Sequence, residues 1–445
     1  MSQETEKKDP ADVAELKLPL WKANCWFAVL WIIFMLDFAD RNCMAVALPA
    51  IKKAFDLTDA QAGLVGSAFG FTLALTSFPI SLLIDRWSRR KMVTIMVGFW
   101  SVATWATGFA KGFITLLIPR LMLGVGEAAY NSAGYALLSA WYPKSKRGRI
   151  FGIYNTAVTL GSALGVSIGG YIAYHYGWRI MFGVLAVPGL IFAAIAWFMP
   201  DYKTKKVEEQ TEQEVKPKFV ETMKYILTTP ALLFVYLGTA MCMMALSAFG
   251  IWSPTYLVRT YDLNLAEAGK IMGMIGLIAW PGAIIGGWIG DWLLKRTPKG
   301  RPYAVCITVA LLAVVATLSL NAAHYVTFLV FWTLTQCLLI GYNSNSIACT
   351  QELVPPYFRG ISFSFIPLFN QLLAGVWAPM IVGALSDKYG LGIALQVIAI
   401  ASPVLAILFF GLASICYQKG LDKLHRMGTF SLEHFNFKIL YIRKM

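Results

Sequence analysis

Apolar residues arrive along this chain in blocks of about 20, each closed by a short charged or turn-forming stretch, which is the pattern a bilayer-spanning helix requires. The pattern predicts helices over 23–51, 60–83, 92–110, 113–141, 150–174 and 180–199, then over 231–258, 266–290, 303–322, 325–350, 361–386 and 391–416. Twelve spans in two sets of six define an all-α integral membrane protein. Between the sets, Asp201 to Glu221 carries Lys203, Lys205, Lys206, Glu208, Glu209, Glu212 and Glu214, too polar to lie against lipid, and reads as a solvated linker. The expected division is a tail over 1–22, a six-helix bundle over 23–200, the linker over 201–221, a second bundle over 222–416 and a tail over 417–445. Leu421 to Met445 is amphipathic, with Phe430, Phe435, Phe437 and Tyr441, and suits a membrane surface.

The two halves repeat each other. Asp56-Leu57-Thr58-Asp59-Ala60-Gln61-Ala62-Gly63 returns as Asp262-Leu263-Asn264-Leu265-Ala266-Glu267-Ala268-Gly269, and Asp85 after span 2 answers Asp291 after span 8. Further on, Pro143 and Arg147-Gly148 answer Pro355 and Arg359-Gly360, while Gly170 and Gly177 answer Gly383 and Gly390. Near-constant spacing over such a distance predicts two pseudo-symmetric bundles of one topology, related by an axis along the membrane normal, with a cavity between them near the midplane.

Composition supports the membrane assignment. Of 445 residues, 58% are hydrophobic and 14% charged, against roughly 25% charged in soluble domains. The formal charge of +14 resides mostly in connections rather than on one face, so it signals orientation instead of nucleic-acid binding. Arg86, Arg89, Arg90 and Lys91 follow span 2, Lys144, Lys146, Arg147 and Arg149 follow span 4, and Lys295, Arg296, Lys299 and Arg301 follow span 8, while Lys111 alone separates spans 3 and 4. The positive-inside rule then places both termini and the linker in the cytoplasm of a multi-pass protein of the cell (inner) membrane. Met1 to Lys22 lacks the regions of a signal peptide, so the first block is expected to be a retained span. Seven cysteines without CxxC spacing, and no phosphate loop, Ser/His/Asp set or zinc motif, predict no disulfide framework, metal site, cofactor or enzyme activity.

Ionisable residues inside the spans need a reason, because each costs about 2.5–3.5 kcal/mol or more at the bilayer centre. Asp37, Asp40 and Arg41 lie in span 1; Arg120 and Glu127 lie in span 4, two turns apart on one face. Carboxylates can neutralise the arginines, and protonating one carboxylate would free a guanidinium to hold an anion. Burial and a neighbouring guanidinium pull a carboxyl pKa in opposite directions, so a change of access can load or release a proton. Asp37 is expected to line an outer vestibule. The second half offers no comparable buried charge, only amides such as Asn343, Asn345, Asn370 and Gln371. In span 5, Asn155 and Thr159 lie one turn apart and can face the cavity, while Gly161, Gly165, Gly169 and Gly170 permit close helix approach. Phe38 and Leu73 promise a pocket of low polarity, and Trp252, Trp377, Phe249 and Phe369 would suit an aromatic or partly apolar acid.

The connection Ser81-Leu82-Leu83-Ile84-Asp85-Arg86-Trp87-Ser88-Arg89-Arg90-Lys91 resembles the signature loop of the major facilitator superfamily, with serines in place of both glycines. Gly287 and Asp291 keep the corresponding glycine and acid in the second half, where Trp292 replaces a basic residue. The resemblance implies the twelve-helix major facilitator fold, a monomer, and gating by Asp85, Arg86, Arg89, Arg90 and Asp291. Within the superfamily, Asp40-Arg41, Arg120, Glu127 and Trp141-Tyr142-Pro143 resemble the anion:cation symporters, whereas Gly124-Val125-Gly126-Glu127-Ala128-Ala129-Tyr130 is similar to the spinster-like branch. The first likeness implies proton-coupled symport of a small organic anion, with Asp40 and Glu127 taking protons and with Arg41, Arg120, Asn370 and Asn155 meeting substrate. Its energy source would be the proton gradient and its partners the anion, protons and the bilayer. The second implies transport of a lysolipid or sphingolipid.

Overall fold

The computed structural model describes residues 18–86, 88–128, 130–201, 219–355 and 358–426. The first half forms α1 (Leu20–Phe55), α2 (Asp59–Arg86), α3 (Arg89–Thr107), α4 (Phe113–Glu127), α5 (Tyr130–Trp141), α6 (Lys144–Tyr176) and α7 (Trp178–Ala196). After the short α8 (Phe219–Leu227) come α9 (Pro230–Thr260), α10 (Leu265–Ala279), α11 (Gly282–Leu294), α12 (Gly300–Leu320), α13 (Tyr325–Glu352), α14 (Arg359–Asn370), α15 (Trp377–Tyr389) and α16 (Leu391–Arg426). A π-helical turn, Gln371–Gly375, joins α14 to α15. Nine helices among the described residues are long and apolar enough to cross a membrane, including Leu265–Leu294 and Phe365–Tyr389 taken as single spans. Much of their apolar surface faces outward, as lipid requires and water forbids: Trp288, Val326 and Ile415 are each about two-thirds exposed. The helix ends follow the hydropathy blocks closely, except that α16 continues to Arg426 and most of the linker, with the tail beyond 426, lies outside the described residues.

Two spans that the hydropathy pattern predicts as continuous are interrupted. Span 8 breaks at Trp280-Pro281, and span 11 passes through the π turn that begins after Asn370; span 4 is described as α4 and α5, with residue 129 outside the described residues. Hydropathy averages over such breaks, which cost backbone hydrogen bonds and tend to mark functional places.

The repeated motifs occupy positions where the backbone makes a special demand. Asp56 and Asp262 both adopt left-handed conformations, φ 49° and 53°, which Asp tolerates better than most residues. Each is followed by a reciprocal capping box. In the first, the Thr58 N–H donates to Gln61 Oε1 (3.0 Å) and the Gln61 N–H to Thr58 Oγ1 (3.1 Å). In the second, the Asn264 N–H donates to Glu267 Oε2 (3.1 Å) and the Glu267 N–H to Asn264 Oδ1 (2.9 Å). Gly177 and Gly390, the other repeated pair, turn the chain at φ 90° and 84°.

By density of contact the described residues divide into two compact units. The first comprises Met1–Glu212 with Ser247–Ile278 and Val376–Ala394, so segments of α9, α10 and α15 group with the first half; the second comprises Gln213–Leu246, Ala279–Gly375 and Leu395–Met445. In the first unit α1 and α6 are pressed together at glycine: a Cβ on Gly161 would stand 2.2 Å from the Met35 carbonyl, and one on Gly165 2.2 Å from that of Ala39. In the second, Gly286 of α11 meets the Gly341 carbonyl of α13 in the same way, at 2.1 Å. Around these contacts the first unit builds an aromatic core in which Phe34 stacks on Tyr154 at 4.7 Å and Trp100 meets Tyr130 edge-on at 5.6 Å.

Gly165→Val, which forces α1 away from α6, should lower the melting temperature of the solubilised protein through an overpacking penalty of about 1–3 kcal/mol or more. Gly152→Ala, on the same helix with nothing within 4 Å of the new methyl, should leave it unchanged or slightly raised. Equal melting temperatures for the two variants would contradict the close crossing.

Candidate functional site

The buried charges converge in the first unit. Asp37, one turn before Arg41 on α1, is 1% exposed and accepts two hydrogen bonds from Arg41 Nη2, at 2.9 and 3.2 Å. Arg41 Nε lies 2.7 Å from Glu127 Oε2, across from α1 to the last residue of α4. Asp37 is thus a central partner and not a vestibule residue, as its place in span 1 suggested. Asp40, on the adjacent face, is held by Thr104 of α3, whose hydroxyl donates to Oδ2; Oδ1 has no hydrogen-bond partner among the described residues. Arg120 is 0% exposed, and none of its three guanidinium nitrogens has a hydrogen-bond partner among the described residues. Its guanidinium stands 5.6 Å from the centre of the Phe69 ring, and the Arg41 guanidinium stands 4.7 Å from Phe38 and 5.8 Å from Phe69. Cation–π contact accompanies these charges without neutralising them.

Local sequence explains the convergence. Gly124 lies on α4 between Arg120 and Glu127, and a Cβ there would meet the Phe69 carbonyl at 2.1 Å. The absent side chain lets α2 approach, and the Thr72 hydroxyl completes the seam by donating to the Leu121 carbonyl at 2.6 Å. Gly126 similarly admits Trp100 of α3. Two glycines therefore bring α2 and α3 against the charged face of α4.

The remaining candidate residues divide differently. Asn155 of α6 donates to the Phe151 carbonyl (2.9 Å) and accepts from the Tyr135 hydroxyl (2.9 Å), a tyrosine that hydropathy alone did not single out. Asn370, in the second unit, has a buried Oδ1 with no hydrogen-bond partner among the described residues and stands where α14 gives way to the π turn. Asn345 donates to the Gly286 carbonyl at 2.7 Å, and is interhelical glue. Trp252 is buried and donates to the Pro379 carbonyl at 2.9 Å, which makes it a packing residue.

Of the expected gating residues, the side chains of Asp85 and Arg86 lie outside the described residues. Arg89 and Arg90 sit at the start of α3, where the Ser88 hydroxyl donates to Asp201 and Arg90 Nη1 donates to the Met199 carbonyl at 3.3 Å. Asp291 is 65% exposed and meets Arg301 at 3.2 Å, a weak pairing in water. Arg301 makes the closer contact with Glu352 (2.8 Å), which also accepts from the Tyr417 hydroxyl (2.7 Å), so α12, α13 and α16 are tied at one point.

A further network at the opposite end of the helices escaped sequence reading. Asp59, first residue of α2, takes a bidentate contact from Arg259 of α9 (2.6 and 2.7 Å), a hydrogen bond from Ser386 of α15 (2.6 Å) and an ion pair from Lys52 of α1. Asp387 in turn caps α2, accepting from the backbone N–H groups of Asp59 (2.8 Å) and Ala60 (3.0 Å). The repeat explains the placement. Gly383 meets the Asp59 carbonyl as Gly170 meets that of Leu265, the residue matching Asp59 in the second copy, with Cβ distances of 2.1 and 2.5 Å. One copy carries an ionic clasp; in the other, Leu265 takes the place of Asp59, and the Ser167 hydroxyl donates to the Gly269 carbonyl at 3.4 Å.

A helical protein with duplicated membrane spans, a charged cluster embedded at helix depth and clasps at helix ends is built as a membrane carrier. Residues 30–379 match the Major Facilitator Superfamily, and the chain belongs to it. Its relatives include a Bacillus subtilis protein described as a probable galactarate/D-glucarate transporter, 25% identical over 82% of this chain and 86% of that one. Another is an MFS-type efflux pump of Mycolicibacterium smegmatis, 25% identical over 89% and 94%. Among solved structures, a bacterial homolog of the human lysosomal transporter Spinster, crystallised inward-facing and unoccupied, superposes with a TM-score of 0.77 at 20% identity over 92% of this chain and 99% of that one. The protein is a membrane transporter of this superfamily and not an enzyme, as the resemblance implied.

Asp59→Asn and Arg259→Gln should each lower the melting temperature, and the double variant should fall no further than the worse single, a coupling of roughly 0.5–3 kcal/mol. Strictly additive losses would show that the two groups stabilise the fold independently.

Proposed function

We propose that the protein carries a small organic carboxylate together with protons, by alternating access of a site at the cluster of Asp37, Asp40, Arg41, Arg120 and Glu127. The observation that carries this reading is Arg120, a fully buried guanidinium without a hydrogen-bond partner among the described residues, next to an arginine that already has two carboxylates. A buried charge with spare donors is costly unless something anionic completes it, and a planar fork of N–H groups matches a carboxylate. Charge counting supplies the coupling. Three acids face two guanidinium groups, so the fully ionised cluster has one negative charge in excess. An entering anion would double that excess in a medium where each unbalanced charge costs several kcal/mol, unless protons enter with it. Asp40 and Glu127 are the groups assigned to take them, with Arg41 and Arg120 facing the anion and Asn155 and Asn370 as polar contacts. Asp85, Arg86, Arg89, Arg90 and Asp291 are assigned to gating at the cytoplasmic ends of a monomer in the cell membrane, and the Asp59 clasp to the outer ends.

One observation favours a second reading, movement of a lysolipid or sphingolipid. Between α6 and α10 lies a groove of about 460 Å³ whose wall includes Ile168, Tyr171 and Ala266 and whose rim carries His175, Glu267 and Lys270. An acyl chain along the wall and a polar head at the rim would use both.

Uptake of labelled carboxylates into proteoliposomes separates these readings. An inward-directed proton gradient should drive accumulation, which Asp40→Asn and Glu127→Gln should abolish. Arg120→Gln should weaken uptake at least tenfold, since truncating one member of a buried charge pair costs about 2–5 kcal/mol. Gradient-independent uptake with both acid variants fully active would refute proton coupling, and displacement of bound lysolipid but of no carboxylate would favour the lipid reading.

A further inference from the structure

We infer that the anion bound at this cluster has an aromatic or otherwise apolar body, not a polyhydroxylated one, and that Phe69 is the side chain that selects it. The inference rests on the carboxylate reading above and narrows it. Phe69 is the one ring within 6 Å of both buried guanidinium groups among the described residues, at 5.8 Å from Arg41 and 5.6 Å from Arg120. Phe38 lies under Arg41 at 4.7 Å. Arg41, Phe38 and Phe69 are all partly exposed, so phenyl rings border the charges assigned to the anion.

Apart from the charged groups themselves, where Asp40 Oδ1, Glu127 Oε1 and the Arg120 guanidinium have no hydrogen-bond partner among the described residues, several polar side chains of the neighbourhood are occupied with one another. Thr104 is given to Asp40, and Thr72 to the Leu121 carbonyl. Asn42 divides its amide between the Phe38 carbonyl (2.8 Å) and Ser162 (3.2 Å). The Tyr130 hydroxyl donates to the Leu30 carbonyl, the Tyr154 hydroxyl donates to the Tyr130 hydroxyl (3.0 Å), and the Tyr135 hydroxyl donates to Asn155 Oδ1. A chain of sugar hydroxyls stripped of water here would meet rings and engaged donors, and unpaired hydroxyls are penalised in such surroundings. An aromatic ring would lose nothing on desolvation and gain offset or edge contacts with Phe69 and Phe38. The preference would differ from the sugar diacids in the description of one relative.

The experiment compares two monocarboxylates, phenylacetate and D-gluconate, by thermal shift and calorimetric titration of the full-length protein in lipid nanodiscs, at matched ionic strength. Phenylacetate should bind at least about tenfold more tightly, a difference of about 1.4 kcal/mol. Arg120→Gln should lose both ligands. Phe69→Leu, which keeps an apolar side chain of similar bulk, should cut the preference for phenylacetate by several fold, and Phe69→Tyr should restore it. Gluconate binding equal to or tighter than phenylacetate would overturn the inference while leaving the carboxylate reading intact. Binding of neither by the wild-type protein would overturn the carboxylate reading itself. A preference unchanged in Phe69→Leu would remove Phe69 from the role.

Discussion

The structure of the first half is governed by one electrostatic constraint: two guanidinium groups held at helix depth must be balanced by carboxylates that are themselves expensive to bury. Asp37 and Glu127 meet Arg41 from two different helices, and Asp40 meets Thr104 of a third. The cluster therefore fixes the mutual placement of α1, α3 and α4 as firmly as any apolar contact does, and glycines at 124 and 126 are the condition for it. The arrangement remains incomplete at Arg120. An ion-pair network whose only purpose was packing would be expected to close on itself, because each unmade charged hydrogen bond weakens the fold.

How much of this was legible in the sequence varies with the kind of information. The spans were legible because burying a helix in lipid demands a long apolar run, and the observed helices follow those runs. The repeat was legible because its residues are fixed by the backbone: Asp56 and Asp262 are left-handed, Thr58 with Gln61 and Asn264 with Glu267 close capping boxes, and Gly177 and Gly390 sit at positive φ. Such demands restrict residue choice whatever the substrate. The π turn after Asn370 was invisible because it changes the hydrogen-bond register without interrupting hydropathy.

The candidate site was legible by type and not by pairing. Ionisable residues inside apolar spans announce themselves, but which carboxylate meets which guanidinium does not follow from their spacing alone. Helical geometry sends Asp40 and Arg41 to different partners, Arg41 to Asp37 one turn back and to Glu127 across the bundle. Asp59 shows the complementary failure. It stands in a repeated motif beside a helix end, where a carboxylate is ordinary, and its importance lies in Arg259, Ser386 and Lys52, which are scattered over three other helices. No local pattern marks a partner so far along the chain.

Duplication followed by divergence gives these observations a common logic. The two copies keep the glycine contacts that seat α15 on α2 and α6 on α10, so the backbone geometry of both seams is equivalent. Their chemistry has separated: Asp59 collects cations and hydroxyls at one seam, and at the other Leu265 stands in its place while the Ser167 hydroxyl donates to the Gly269 carbonyl. Likewise the charged cluster belongs to the first half, while the second contributes an unpaired amide oxygen at Asn370 beside a π turn. A seam held by a bidentate ion pair can break only if those charges find water or other partners, a cost that the seam carrying Leu265 in place of Asp59 does not incur at that position.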